Sequence, residues 1–291
     1  MRYEGPIYRP PSEADSLLIQ ATVGCPHNKC TFCLVYKQGP PFKVRPVAEI
    51  KADLEEACRL YGEGVRSIFL PAGNTIAMPT AALAEICRYA YRLFPRLQRL
   101  TVYGSAQYIY RKGLEQLQEL AAAGLKRIHV GLESGDDEIL HRVKKGSTAA
   151  VQIAAGQLVR QAGIELSEYV ILGLGGRDRS QEHIEATAAA LNAIAPDFVR
   201  LRTLVPKINT PLLTEVLSGR FQLLGPHEIL RETYDLIARL EIRTTITSDH
   251  YTNYLNVSGR LPEDREAMLA RITTALQRPE SDFRPFFIGT E

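Results

Sequence analysis

Short aliphatic and β-branched runs alternate along this chain with longer stretches in which apolar residues recur every three or four positions. The first pattern marks strands and the second marks amphipathic helices. Strands are predicted at 17–23, 65–70, 99–103, 127–132, 165–172 and 198–203, with helices near 47–61, 80–94, 113–123, 149–162, 181–193 and 226–241. Pro46 and Pro79 stand at or just before helix starts, and Gly62, Gly124 and Gly163 follow helix ends, which supports the register. Alternating β and α elements imply an α/β fold of parallel strands joined by helical crossovers. The period suits a partial barrel or an open doubly wound sheet and does not choose between them. Further on lie a short apolar stretch at 244–247, the polar and aromatic run Ser248-Asp249-His250-Tyr251-Thr252-Asn253-Tyr254, and a helix near 262–276.

Composition narrows the picture. A chain of 291 residues with 45% hydrophobic side chains can bury one large core, and α/β barrels reach this length as single domains. No apolar run approaches the roughly 18 residues of a membrane span, so no membrane partner is expected. The 35 basic and 33 acidic side chains leave a net charge of +2, which is no electrostatic footprint for nucleic acid. A small-molecule substrate is therefore expected over a macromolecule. There are no repeats and no low-complexity tract.

Three of the five cysteines fall in nine residues, Cys25-Pro-His-Asn-Lys-Cys30-Thr-Phe-Cys33, directly after the first predicted strand. Three thiolates on one loop can hold three irons of a [4Fe–4S] cluster and leave the fourth open for chemistry. The competing reading is a Cys3His zinc site of Cys25, His27, Cys30 and Cys33. Against it, His27 lies between two of the cysteines, whereas zinc sites more often draw ligand pairs from separate turns. An odd cysteine count in a long chain with no signal peptide argues against a disulfide framework and for a reducing cytoplasm. Cys58 and Cys87 fall in predicted helix interiors, so a second cluster is not expected.

In α/β barrels active sites form at the C-terminal ends of strands. Those ends here carry Pro71-Ala72-Gly73-Asn74, Gly104-Ser105-Ala106-Gln107, Gly131-Leu132-Glu133-Ser134-Gly135 and Gly173-Leu174-Gly175-Gly176. Arg142-Val143-Lys144-Lys145-Gly146 follows the fourth, and Arg200 and Arg202 share a face of the sixth ahead of Val205-Pro206. Plainer roles compete at each place. Gly73 and Asn74 fit an ordinary βα turn, Glu133 a helix cap or ion pair, Lys145 a solvated helix end, and the arginines salt bridges within the barrel. The glycines from 173 lack the spacing of a dinucleotide fingerprint.

The cysteine spacing, four residues and then two with Phe32 before the last, resembles the cluster loop of the radical S-adenosylmethionine (SAM) superfamily. Its commonest form has three residues in the first gap, and the longer gap here is one that some members share. Gly131-Leu132-Glu133-Ser134-Gly135 resembles the coproporphyrinogen-oxidase-like and methylthiotransferase-like branch, and the likeness runs over roughly 17–214. It implies a partial (βα)6 TIM-like barrel over 1–245 with an extension, 246–291, that covers it. It implies that Cys25, Cys30 and Cys33 hold a [4Fe–4S] cluster and that Phe32 shields it near the adenine. Gly73 and Asn74 would meet the methionine ammonium, Glu133 the ribose or amino end of SAM, Lys145 its carboxylate and the Gly173 turn its adenine, with Val205 near the end of the same core; Ser105 can bond a ligand through its hydroxyl.

The activity so implied is reductive cleavage of SAM to a 5′-deoxyadenosyl radical that abstracts hydrogen from a substrate, with a flavodoxin or ferredoxin as electron donor. With no second cluster and no cobalamin-binding domain visible, methylthiolation and cobalamin-dependent methylation are not expected. Some relatives of coproporphyrinogen oxidase are chaperones, which keeps a haem or cluster carrier as the alternative. Tyr103, Tyr108, Arg200, Arg202 and His250 are candidate substrate contacts that suit anionic or aromatic molecules without choosing between them.

Overall fold

A computed structural model describes residues 1–37 and 39–290. Its strands are β1 (Leu17–Leu18), β2 (Thr22–Val23), β3 (Lys43–Val44), β4 (Ser67–Leu70), β5 (Arg99–Gly104), β6 (Leu125–Glu133), β7 (Glu165–Leu172), β8 (Phe198–Thr203), β9 (Thr244–Thr247) and β10 (Gly259–Leu261). The helices are α1 (Val47–Tyr61), α2 (Thr80–Leu93), α3 (Ala106–Ala122), α4 (Asp137–Arg142), α5 (Ala149–Gln161), α6 (Ser180–Ile194), α7 (Pro211–Leu217), α8 (Pro226–Arg239) and α9 (Arg265–Ala275). Eight strands make one sheet in the order β1-β4-β5-β6-β7-β8-β9-β10, and β2 pairs with β3 in a second. Pairing is parallel from β1 through β4 and β5 to β6 and from β7 through β8 to β9, and β10 closes the order antiparallel to β9.

All six expected strands exist, but the first is divided. Its opening residues join β4, and Thr22–Val23 turns away to pair antiparallel with Lys43–Val44. A remote residue causes the break. The buried Arg45 donates to the Gln20 carbonyl at 2.6 Å and to Asp53 of α1 at 2.8 Å, while its own N–H bonds the Ala21 carbonyl. The third helix starts at Ala106 rather than 113, with non-helical backbone at Gly113 inside it. The short α4 and α7 were not expected.

The chain divides into two compact units, residues 1–28, 35–130 and 158–166 in one and 29–34, 131–157 and 167–291 in the other. The boundary expected after residue 245 falls inside β9. In the first unit α1 buries Ile50, Leu54 and Ala57, and α2 buries Leu83, Ala84, Ile86, Cys87 and Ala90, each at helical spacing. Cys87 is thus a core residue, and burial pushes its thiol up to about 12. Cys58 donates its S–H to the Leu93 carbonyl. In the second unit α8 packs on α6 and α9 through Ile229, Leu230, Leu236 and Ile237. No helix among the described residues is long and apolar enough to cross a membrane.

An ionic knot pins the N-terminus of the first unit. Glu13, fully buried, accepts from Ser16 Oγ at 2.6 Å and Arg99 at 3.2 Å, and its Oε1 is 3.1 Å from His129 Nε2. Burial raises the carboxyl pKa, but the His129 and Ser16 hydrogen bonds and the charges of His129 and Arg99 outweigh it and hold Glu13 at about 2. A depressed carboxylate contributes stability that is complete above its unfolded value and is lost as pH falls through the folded one. Glu13→Gln is therefore predicted to cost about 3 kcal/mol at pH 7. Urea unfolding of the two proteins should converge as pH drops from the ordinary 4.5 toward 2.

Candidate functional site

In the first unit one expected cofactor contact, Gly73, lies against Cys25 of the cysteine loop, and two more, Asn74 and Ser105, bond to each other. The Gly73 N–H bonds the Gly24 carbonyl at 3.1 Å, and a Cβ on Gly73 would sit 2.7 Å from Cys25 Cβ and 2.8 Å from the Tyr36 ring. Only glycine fits there. Next to it, Asn74 Nδ2 donates to Ser105 Oγ at 3.0 Å. Asn74 is 1% exposed, and its Oδ1 has no hydrogen-bond partner. A buried amide oxygen left unpaired costs about 1–3 kcal/mol unless a donor arrives, and an ammonium suits it. Ser105 occupies the N-cap position of α3, so the turn expected at 104–107 is already helix from Ala106.

In the second unit Cys30 and Cys33 share a turn closed by Cys33 N–H to Cys30 O at 3.4 Å. Thr31 within that turn donates its N–H to the Val143 carbonyl at 2.9 Å and accepts from the Leu212 N–H at 3.2 Å. Phe32 packs on a buried cluster of Ile139, Val143 and Leu174. The cysteine turn is thereby tied to the segment that carries Lys145. Among the described residues no three His, Cys, Asp or Glu side chains are already gathered as a metal-binding set. None of the five cysteines is in a disulfide, and those of the loop are partly exposed.

Lys145 and Glu133 meet in a salt bridge, Nζ to Oε1 2.8 Å, with side-chain exposures of 11% and 13%. A solvated helix end is excluded. Burial works against the Lys145 ammonium, but the charges of Glu133 and Cys30 and the Glu133 hydrogen bond outweigh it, and the net pKa is raised. Gly131 makes room for the pair, because a Cβ there would lie 2.0 Å from Glu133 Oε1 and 2.8 Å from Lys145 Nζ. Glu133 itself takes φ 64°, a left-handed conformation that costs a non-glycine residue roughly 1–2 kcal/mol. A buried network holds it there. Ser134 Oγ bonds His183 Nδ1 at 2.9 Å, Gln152 donates to the Ser134 carbonyl at 3.2 Å, and the Gly135 N–H reaches Thr187 Oγ1 at 2.9 Å.

Two acids that the sequence did not single out are buried in the second unit. Glu168 of β7 is 1% exposed, and its Oε2 has no hydrogen-bond partner. Burial pushes its carboxyl up to about 8, with Lys145 drawing it down and Glu133 pushing it further up. At neutral pH it keeps its proton. Glu232 of α8 accepts the Gly173 N–H and the Ser180 hydroxyl, each at 2.6 Å, and burial raises it to about 7. Gly173 is thus placed by a helix distant in sequence, and Val205 is buried beyond β8. Arg200 and Arg202 share a face of β8 and differ sharply in setting. Arg200 is buried and donates to Ser167 at 3.0 Å and Thr247 at 3.2 Å, whereas Arg202 is exposed. Tyr103 packs edge-on against Phe69, 5.0 Å between ring centres.

Residues 19–191 match the model of the radical SAM superfamily. A tRNA-2-methylthio-N(6)-dimethylallyladenosine synthase of Hahella chejuensis is 28% identical over 199 residues, 65% of this chain and 43% of that one. Methylornithine synthase superposes over 92% of this chain and 84% of its own with a TM-score of 0.54 and 16% identity. Coproporphyrinogen III oxidase from Escherichia coli does so over 77% and 52% with a TM-score of 0.55 and 17% identity. These likenesses show the fold, an α/β arrangement of the TIM-like kind. The chain belongs to the radical SAM superfamily, whose members use a [4Fe–4S] cluster and SAM. It spans about a third to just over half of the length of the curated relatives it matches.

His183 gives a test of the network behind Glu133. Its Nε2–H donates to the Ile171 carbonyl at 3.0 Å, so Nδ1 accepts from Ser134. Burial pulls its pKa down to about 4, against smaller opposing pulls from the Ile171 carbonyl and Asp136. A buried neutral histidine contributes stability that is complete above the ordinary 6.5 and is lost as pH falls from there toward 4. The wild type should lose about 3 kcal/mol over that window. His183→Gln, followed by denaturant unfolding, should not show that loss.

Proposed function

We propose that this chain is a radical SAM enzyme in which Cys25, Cys30 and Cys33 hold three irons of a [4Fe–4S] cluster and the strand ends hold SAM. The observation that carries the reading is the Lys145–Glu133 pair, buried beside the cysteine turn and inside the matched region. The residues fit the group. Three free cysteines supply thiolates, Asn74 Oδ1 is a buried acceptor without a donor, and Lys145 is a buried cation. When bound, the cluster and SAM supply a 5′-deoxyadenosyl radical by one-electron reduction, the chemistry expected of the superfamily.

The chain's own part is binding, orientation and exclusion of water. Lys145 meets the methionine carboxylate as a charge-assisted donor. Asn74 accepts from the ammonium, with Gly73 letting the backbone approach. Ser105 and Glu133 bond other polar parts of SAM, and Gly173 and Val205 lie along it. Phe32 shields the cluster side. The segment after β9 serves as cover: Asn253 pins it by accepting from the Thr203 N–H at 2.7 Å and donating to the Leu201 carbonyl at 2.8 Å. A flavodoxin or ferredoxin in a reducing cytoplasm supplies the electron, and the substrate is a small molecule.

Anaerobic reconstitution tests the reading. About four irons per chain, lost on replacing any of Cys25, Cys30 or Cys33 by alanine and kept on replacing Cys58 or Cys87, is the expected result. Dithionite should then release 5′-deoxyadenosine from SAM. Zinc held in place of iron would overturn the reading, and porphyrin binding with SAM left intact would make the chain a carrier. Lys145→Ala should keep its iron and bind SAM more weakly by about 1–3 kcal/mol.

A further inference from the structure

At the C-terminal end of β8 three basic groups, Arg202, Lys207 and His250, come together. Arg202 lies one residue before the strand end and is exposed; its Nη2 donates to Nε2 of His250, and its guanidinium stands 5.7 Å from the Tyr169 ring centre. Arg202 and Lys207 are the two charges felt at His250. Among the described residues no ion pair to Asp or Glu involves any of the three.

A guanidinium only donates, so Nε2 of His250 accepts, while Nδ1 lies 2.7 Å from Thr252 Oγ1 and 3.3 Å from the Thr252 N–H that points at it. Burial, then Arg202 and Lys207, push the His250 pKa down to about 3, so the ring adds no third charge. Arg202 and Lys207 remain as cations felt at that ring, and among the described residues neither has a carboxylate ion-pair partner.

The scaffold beneath them is fixed. Asn253 ties the segment carrying His250 to β8 through the N–H and hydroxyl of Thr203 and the carbonyls of Leu201 and Ser248. Lys207 is bridged to Gly289, with Ile208 N–H to Gly289 O and Gly289 N–H to Pro206 O both 2.9 Å. Its side chain lies along the tail, since a Cβ on Gly289 would be 2.5 Å from Lys207 Nζ. Tyr251 stacks on His250 at 4.4 Å and lies 6.2 Å from the Phe287 ring. Like charges held together on a rigid, partly aromatic wall repel, and an anionic oxygen group placed among them would turn that repulsion into attraction.

We propose that Arg202, Lys207 and His250 form a subsite for an anionic oxygen group, a carboxylate or a phosphate, of the substrate. The word substrate rests on the function proposed above; the anion binding itself needs no cluster. Arg202 offers a planar fork of donors, Lys207 a point charge, and Tyr169 and Tyr251 flank them with apolar rings.

The test follows the His250 ring C–H signals by NMR in protein labelled at histidine carbon, assigned with His250→Gln. Sodium phosphate or sodium acetate replaces sodium chloride at constant ionic strength. The expected result is a saturable shift that chloride does not cause, weakened about tenfold or more in Arg202→Gln and in Lys207→Gln. A stronger response to phosphate marks a phosphate-bearing substrate, and one to acetate a carboxylate. Responses equal to that of chloride, or unchanged in both variants, would overturn the subsite. So would a shift caused by a short RNA and by neither small anion. Iron content is read on the same preparations, so a chain that binds the anion and never assembles a cluster refutes the enzyme reading alone.

Discussion

An ammonium held away from water survives only with a carboxylate against it, and the end of β6 is arranged around that requirement at Lys145. Glu133 supplies the charge at 2.8 Å. To reach it, the chain bends into a left-handed conformation that a glutamate does not choose, and the cost is carried by neighbours with no charge of their own. His183, Gln152 and Thr187 lock Ser134 and Gly135 from behind. In turn the carbonyl of Val143, two residues before Lys145, accepts from Thr31 between Cys30 and Cys33. The position of the cysteine turn and the position of the buried cation are therefore one structural fact.

The same low dielectric sorts the acids around that cation. Glu133 contacts the ammonium directly, while Glu168 does not and is left with its proton. Two carboxylates near one cation cannot both ionise cheaply, so the one with the direct bond takes the charge. Glu232 shows a different balance. It accepts two short hydrogen bonds that favour the ionised form, yet burial still raises it to about 7. Its role is mechanical, holding the Gly173 turn from α8, and that turn would otherwise have an unpaired buried N–H.

Legibility in the sequence follows the range of the interaction. The motif of Cys25, Cys30, Phe32 and Cys33 is legible because a local spacing carries it, and the alternation of strands and helices because periodicity is local too. Lys145 was ambiguous, since a Lys-Lys pair after a helix looks the same solvated or buried; only Glu133, twelve residues earlier, decides it. Glu168 gave no signal, lying in Leu166-Ser167-Glu168-Tyr169 where alternation places an acid on a strand without saying what faces it. His183 reads as an ordinary polar helix residue until Ser134 and Ile171 close on it. The break in the first strand depends on Arg45, over twenty residues away in sequence.

Arg200 and Arg202 carry this furthest, because the sequence presents them as equivalents. Arg200 is satisfied by hydroxyls from the strands on either side, Ser167 of β7 and Thr247 of β9, as buried donors must be. Arg202, one step nearer the strand end, finds no such ladder and meets a histidine and an aromatic ring instead. A net charge of +2 on the whole chain conceals this, because it averages a lysine paired with a carboxylate at one strand end with basic groups that, among the described residues, have no ion-pair partner at another. With so small a total there is little long-range field to steer a charged ligand. Discrimination between ligands must then arise at contact distance, from which strand end offers a compensated charge and which offers a bare one.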